Sequence, residues 1–199
     1  MSAGLGSWIR ELRRAHPRLS IYVRASDQVC DLVAEGFDLQ ISTFRPSQTT
    51  FGIKRILTAR LPLAAHRSYL RERTAPIEPA DLLQHECLRF FREQAQQQWT
   101  LIGPGGKRVH APVQGSILSD NSQVLFNALN DGLGIGMTGL GYLNNGDHEL
   151  VRVLEDWTLE PMPLYATTPP AVRNEPHIAA FTDVAVRGFA QWSDSDGVR

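Results

Sequence analysis

The sequence predicts an α/β fold in two lobes. The first 45 residues alternate between helix-period and strand-period apolar patterns. Residues 67–160 mix strands and helices in a different order, and two apolar strand-like stretches, near 57–66 and 162–168, join the regions. Two crossing strands make a hinge, and the groove they leave is a natural ligand site. Lobe I is expected at 1–60 with 164–199, and lobe II at 61–163.

Within lobe I, residues 8–16 read as a helix. Trp8, Ile9, Leu12 and Ala15 share one face, and Arg10, Arg13 and Arg14 another. Ser7 is the expected N-cap, and Pro17 stops the helix. Leu19, Ile21 and Val23 alternate with polar neighbours as a strand does. Asp27 then caps a second helix with Val29, Leu32 and Val33 inward, closed by Gly36. A short strand at 38–42 follows, with Leu39 and Ile41 inward. This alternation predicts a parallel sheet covered by helices.

Residues 53–66 predict one or two strands, 67–72 a short helix, and 79–83 another entered through Pro76 and Pro79. Strands are expected at 86–91 and 98–102. Pro104-Gly105-Gly106-Lys107 then turns the chain into a returning arm at 108–113. A strand at 114–118 leads to a helix at 121–129 with Val124, Leu125 and Ala128 inward, followed by a strand at 135–138. Short strands at 150–154 and 162–167 precede a terminal helix at 176–192, where Ile178, Phe181, Val184 and Phe189 are candidate core.

Composition excludes some functions. Twenty basic residues against 21 acidic ones give a net charge of -1, so the chain as a whole is neither a strongly basic nucleic-acid binder nor an acidic disordered segment. No apolar run approaches the ~20 residues that span a bilayer, and no secretory leader is visible. The cytoplasm is the expected compartment, without membrane contact. Cys30 and Cys87 sit among apolar neighbours at no metal-ligand spacing and are expected as buried free thiols.

The glycines at 132, 134 and 136 follow a helix and enter a strand. A dinucleotide-binding loop has the reverse order, so a tight turn and close packing are the expected roles. The histidines at 16, 66, 85, 110, 148 and 177 form no HxxxH pair, and no serine sits in a GxSxG elbow. Asp27, Asp31 and Glu35, at helical spacing, are expected on a solvated face. No catalytic residue, metal site or cofactor is assigned, and the chain is not expected to be an enzyme.

Three polar clusters share a topological position. Residues 2–7 precede the first helix, Ser42-Thr43-Phe44 follow a strand, and Ser119-Asp120-Asn121-Ser122 sit at a strand-to-helix turn. Ligands of open α/β sheets collect at such places, where helix N-termini offer unpaired N–H groups. Helix capping is the alternative use of each cluster.

The order of these segments resembles the effector-binding domain of LysR-type transcriptional regulators. The likeness rests on five stretches. These are the Arg14-Ala15-His16-Pro17-Arg18-Leu19 junction; residues 30–41, reading CDLVAEGFDLQI; residues 63–70, reading LAAHRSYL; residues 79–88, reading PADLLQHECL; and Trp99 followed by the DGLGIG of residues 131–136. Together they span residues 5–190.

The resemblance implies a fold like that of type 2 periplasmic binding proteins, with two crossover hinge strands and a small-molecule effector between the lobes. It implies regulatory domains paired as homodimers or tetramers, and a winged helix-turn-helix that reads DNA ahead of this segment. Neither that winged helix nor a first strand of lobe I is found in the sequence, and Ser42-Thr43-Phe44 stand where the family commonly has Arg-x-Gly. DNA contact is therefore expected only through a domain this chain lacks. The matching positions for effector contact are Ser2, Gly4 and Leu5; Ser42, Thr43 and Phe44; Ser119, Asn121 and Ser122; and Thr138 with Gly139. A carboxylate is one candidate effector class. The dimer face is expected on the first helix, through Arg10, Arg13 and Arg14, and on the strand at 19–24. A stand-alone solute-binding protein and an inactive truncated regulator are the alternative readings.

Overall fold

The patterning resolves, in a computed structural model, into elements described over residues 5–28, 30–47, 50–91, 97–139, 143 and 149–193. In chain order they are α1 (Leu5–Ala15), β1 (Gln40–Ser42), β2 (Gly52–Ala59), β3 (Pro62–His66), α2 (Arg67–Arg71), β4 (Arg89–Phe90), β5 (Gln98–Ile102), β6 (Arg108–Pro112), β7 (Leu118–Ser119), α3 (Ser122–Asn130), β8 (Ile135–Met137), β9 (Leu150–Leu159), β10 (Met162–Thr168) and α4 (Pro176–Ser193). Single 3-10 turns occupy Pro79–Gln84 and Pro104–Gly106. Contacts divide the chain into two units: Met1–Thr58 with Pro163–Arg199, and Ala59–Met162.

The first unit is built on two helices. In α1, Trp8 and Leu12 stand four residues apart and are buried, while Arg10, Arg13 and Arg14 stay exposed. The basic last turn also suits the negative end of the helix dipole. Trp8 packs with Val184 and Ala185 of α4, its ring centroid 4.7 Å from that of Phe189 in an edge-to-face arrangement. Leu5, Ile41 and Phe181 complete the cluster. Beside it runs a sheet of order β1–β10–β2, in which Ile41 pairs with Ala166.

Residues 16–39 depart from expectation. The alternation at 19–24 does not become a strand: Tyr22 is 78% exposed, and no ladder among the described residues takes these residues up. Alternation supplies a face, but a strand also needs a neighbour for its backbone groups. The helix expected after Asp27 is a single turn. Asp31, not Asp27, caps it, its Oδ1 accepting from the N–H groups of Val33 and Ala34. Leu32 is buried, Val33 is exposed, and Val29 lies outside the described residues. Gly36 does close the turn, at φ +71°, a left-handed conformation that glycine adopts without steric cost.

The parallel sheet also needs correcting. The β1–β10 ladder is antiparallel. In the second unit the five-stranded sheet, ordered β6–β5–β9–β3–β8, is antiparallel in every described ladder. Among the ladders described, parallel pairing occurs in β4–β7 and in a bridge between Cys87 and Ile135. The helix–strand alternation of the first 45 residues led to the parallel reading; the run Leu63-Ala64-Ala65 has another origin. These three residues are apolar because β3 is the second strand in from the edge and both its faces are covered.

One face of that sheet carries Leu63, Trp99, Leu101, Ile135 and Val153, joined by Tyr69 and Leu82. The other carries Ala64 and Leu150 under α3, whose Leu125, Ala128 and Leu129 point inward. Val124 was expected inward but is 52% exposed. β9 runs longer than the five residues anticipated and pairs with both β3 and β5. A register shift opposite Pro62 and Leu63, with Leu154 at φ +51°, lets one strand serve both neighbours.

Candidate functional site

Ser42, Ser119, Asn121 and Thr138 stand at or beside strand ends, and their polar atoms bond to the local backbone. In the second unit, Ser119 ends β7 and its hydroxyl accepts from the Asn121 N–H at 3.1 Å. Asn121 is the extended N-cap of α3. Its Oδ1 accepts from the N–H groups of Gln123 and Val124 at 2.9 and 3.2 Å. Ser122 opens the helix. These residues come together at the positive end of the α3 dipole, where an acceptor or anion is favoured. Replacing Asn121 with Ala is expected to cost about 1 kcal/mol of stability, the usual value of such a cap, read from the urea midpoint.

Thr138 follows β8 and is buried. Its N–H donates to the Pro62 carbonyl at 3.2 Å and its hydroxyl reaches the Gly139 carbonyl at 3.5 Å. Gly139 is half-buried. No described contact joins this pair to Ser119, Asn121 or Ser122, although α3 packs against both β7 and β8.

In the first unit, Ser42 pairs with Tyr165 and its hydroxyl donates to the Phe44 carbonyl at 3.1 Å. Thr43 is half-buried, and the Phe44 side chain is 42% exposed. Leu5 belongs to the apolar cluster around Trp8 and does not present a polar wall. Ser2 and Gly4 lie outside the described residues.

The two thiols differ. Burial pushes the Cys87 thiol up to about 12, so it stays protonated and unreactive at neutral pH. Cys30 is only half-buried, contrary to expectation: Arg24 donates to its sulfur at 3.0 Å and also pairs with Glu35. Desolvation, with the neighbouring Glu35 adding, raises the Cys30 thiol as well. Among the described residues, no cluster of three His, Cys, Asp or Glu could hold a metal ion, and no helix is long and apolar enough to cross a membrane.

The sequence reading missed an open cavity of about 430 Å³ in the second unit, lined by Arg73, His85, Glu86, Gln114 and Ser116 among others. His85 stood out as one of six scattered histidines and within the family-like segment 79–88, never as a ligand contact. The cavity is assembled from three separate chain segments, so no spacing rule announces it.

Comparison with known proteins adds the family. The model of the LysR substrate binding domain matches residues 2–190. The probable HTH-type transcriptional regulator LtrA of Klebsiella pneumoniae is 29% identical over 147 residues, which cover 71% of this chain and 46% of LtrA. The HTH-type transcriptional activator AaeR of Escherichia coli K12 is 26% identical over 160 residues, 78% of this chain and 51% of AaeR. The chain thus spans about half the length of these curated relatives. Among solved structures, the regulatory domain of CrgA, a LysR-type regulator from Neisseria meningitidis, superposes with a TM-score of 0.77 at 16% identity, covering 92% of this chain and 90% of that one. Full-length AphB, the Vibrio cholerae virulence activator, gives 0.73 at 22% identity over 94% of this chain and 64% of AphB. These likenesses establish the two-lobed α/β fold.

Proposed function

We propose, from the premise that the chain belongs to the LysR substrate-binding domain family, that it is the effector-sensing regulatory portion of a transcription regulator. The observation that carries this reading is a family match running over residues 2–190, nearly the whole chain. The domain binds a small metabolite without transforming it. The binding shifts a conformational equilibrium by the ligand's differential affinity for its two states. Promoter DNA is read by a separate winged helix-turn-helix that these 199 residues do not include. The regulator works in the cytoplasm as a homodimer or tetramer, with the exposed Arg10, Arg13 and Arg14 of α1 on the pairing face.

The proposed effector contacts are Ser42, Thr43 and Phe44 of the first unit and Ser119, Asn121, Ser122, Thr138 and Gly139 of the second, joined by Ser2, Gly4 and Leu5 near the start of α1. Serine, threonine and asparagine groups beside a helix N-terminus suit a small polar or anionic effector, with carboxylates the first class to try.

A thermal-shift screen against small aliphatic and aromatic carboxylates tests this. A ligand at 100 times its dissociation constant adds about 2.7 kcal/mol to the folded state and raises the melting temperature by several degrees. Ser42→Ala is expected to weaken the ligand found by about tenfold, the worth of one hydrogen bond. Unchanged affinity in that variant would remove Ser42 and its neighbours from the assignment.

A further inference from the structure

The cavity in the second unit presents a charge pattern of its own. It opens where the N-terminal ends of β4 and β7 meet the end of the 3-10 turn at Pro79–Gln84. Ser119 lies three residues beyond Ser116, at the far end of β7, about 10 Å of extended chain away. The cavity is therefore separate from the effector contacts proposed above.

Its walls supply both signs of charge. Arg73 is fixed by stacking, its guanidinium carbon 4.5 Å from the centre of the Tyr69 ring, and it keeps a loose pairing with the exposed Glu72 at 3.9 Å. Glu86 uses one carboxylate oxygen, Oε1, to accept from the Ser116 N–H, from the Ser116 hydroxyl at 2.9 Å and from the Ile117 N–H at 3.2 Å. Its other oxygen has no hydrogen-bond partner among the described residues.

His85 lines the same cavity and is only 6% exposed. Tyr69 Oη accepts from the Glu86 N–H at 3.0 Å and lies 3.3 Å from His85 Nδ1. With the Tyr69 hydroxyl donating to Nδ1, the neutral ring carries its hydrogen on Nε2. Burial, then the charge of Arg73, holds this imidazole below its ordinary pKa, which keeps it neutral at pH 7. The Nε2–H has no partner among the described residues, in a ring that lines the cavity. That nitrogen keeps some solvent access, so a ligand or water can reach it.

We propose that this cavity is a second ligand site, built for a zwitterion of the α-amino-acid type. The ligand carboxylate takes the Arg73 guanidinium and the His85 Nε2–H, and its ammonium takes the open oxygen of Glu86. A simple dianion would meet the Glu86 charge, and a simple amine would meet Arg73. Only a molecule carrying both charges satisfies both walls.

The experiment follows the His85 ring by ¹⁵N–¹H NMR while the protein is titrated with each of the common L-α-amino acids up to 10 mM. At least one is expected to shift the Nε2–H resonance saturably. Its deaminated counterpart (propionate in place of alanine, for example) and its decarboxylated amine should bind at least tenfold more weakly. Arg73→Gln should weaken the amino acid by tenfold or more while leaving the melting temperature within a few degrees. Glu86→Gln, which keeps an acceptor oxygen toward Ser116 and Ile117, should do the same. The proposal is overturned if no amino acid moves the resonance, if a deaminated analogue binds as tightly, or if Arg73→Gln binds like the parent.

Discussion

Gly134→Ala should destabilise the second unit by about 3 kcal/mol, the upper end for forcing a methyl group into a packed interior. The new Cβ would stand 2.4 Å from the Glu86 carbonyl oxygen. That oxygen cannot swing aside, because it accepts from the Ile135 N–H at 2.8 Å while the Leu88 N–H donates to the Ile135 carbonyl at 2.8 Å. These two bonds are the parallel bridge that fastens residues 86–88 to β8, and Cys87 and Leu88 are both buried there. Gly6→Ala, placed in α1 with nothing within 4 Å of the added carbon, should instead gain a few tenths of a kcal/mol from helix propensity. Urea denaturation followed by circular dichroism separates the two. Coincident midpoints for Gly134→Ala and the parent would show that the 86–88 backbone yields freely.

Trp99→Ala should cost about 3–5 kcal/mol, as large aromatic truncations in cores do. Trp99 is 2% exposed and packs in one cluster with Leu63, Leu82, Val113 and Leu159. Its indole N–H is buried and has no partner among the described residues. The ring is thus kept for its volume and not for a hydrogen bond. Trp99→Phe loses part of that volume but also removes the orphaned donor, so it is expected to cost well under half as much. If the phenylalanine variant were as unstable as the alanine one, the indole N–H would have a bonded role that the geometry does not show.

The elements legible from sequence were those whose own patterning specifies them. Trp8 and Leu12 defined α1 because both face one neighbour, and Asn121 marked the start of α3 because its side chain is the cap. Pro104-Gly105-Gly106 located the β5–β6 hairpin through turn chemistry alone. What failed depended on partners elsewhere in the chain. Residues 19–24 alternate faultlessly yet join no strand ladder among the described residues, and the antiparallel order of the second sheet is set by which distant strands meet. The same holds for the sites. Capping residues at α3 could be read locally, whereas Arg73 is joined to the adjacent His85 and Glu86 only through Tyr69, on whose ring it stacks. The recurring family segments supplied the global information that local periodicity lacks.

The division of the chain at residues 58/59 and 162/163 has a consequence for biosynthesis. Residues 59–162 form one unbroken stretch and can condense as soon as they leave the ribosome. The first unit cannot, because α1 packs against α4, more than 150 residues downstream. Trp8 therefore emerges early and waits, its indole uncovered, until Phe189 has been translated. Closing so long a loop adds little equilibrium penalty but delays assembly, since entropy grows only logarithmically with loop length while nucleation must await the last contact. Any chaperone that attends this polypeptide should engage nascent α1, and truncations that remove α4 should leave that helix the first segment of the unit cut by proteases.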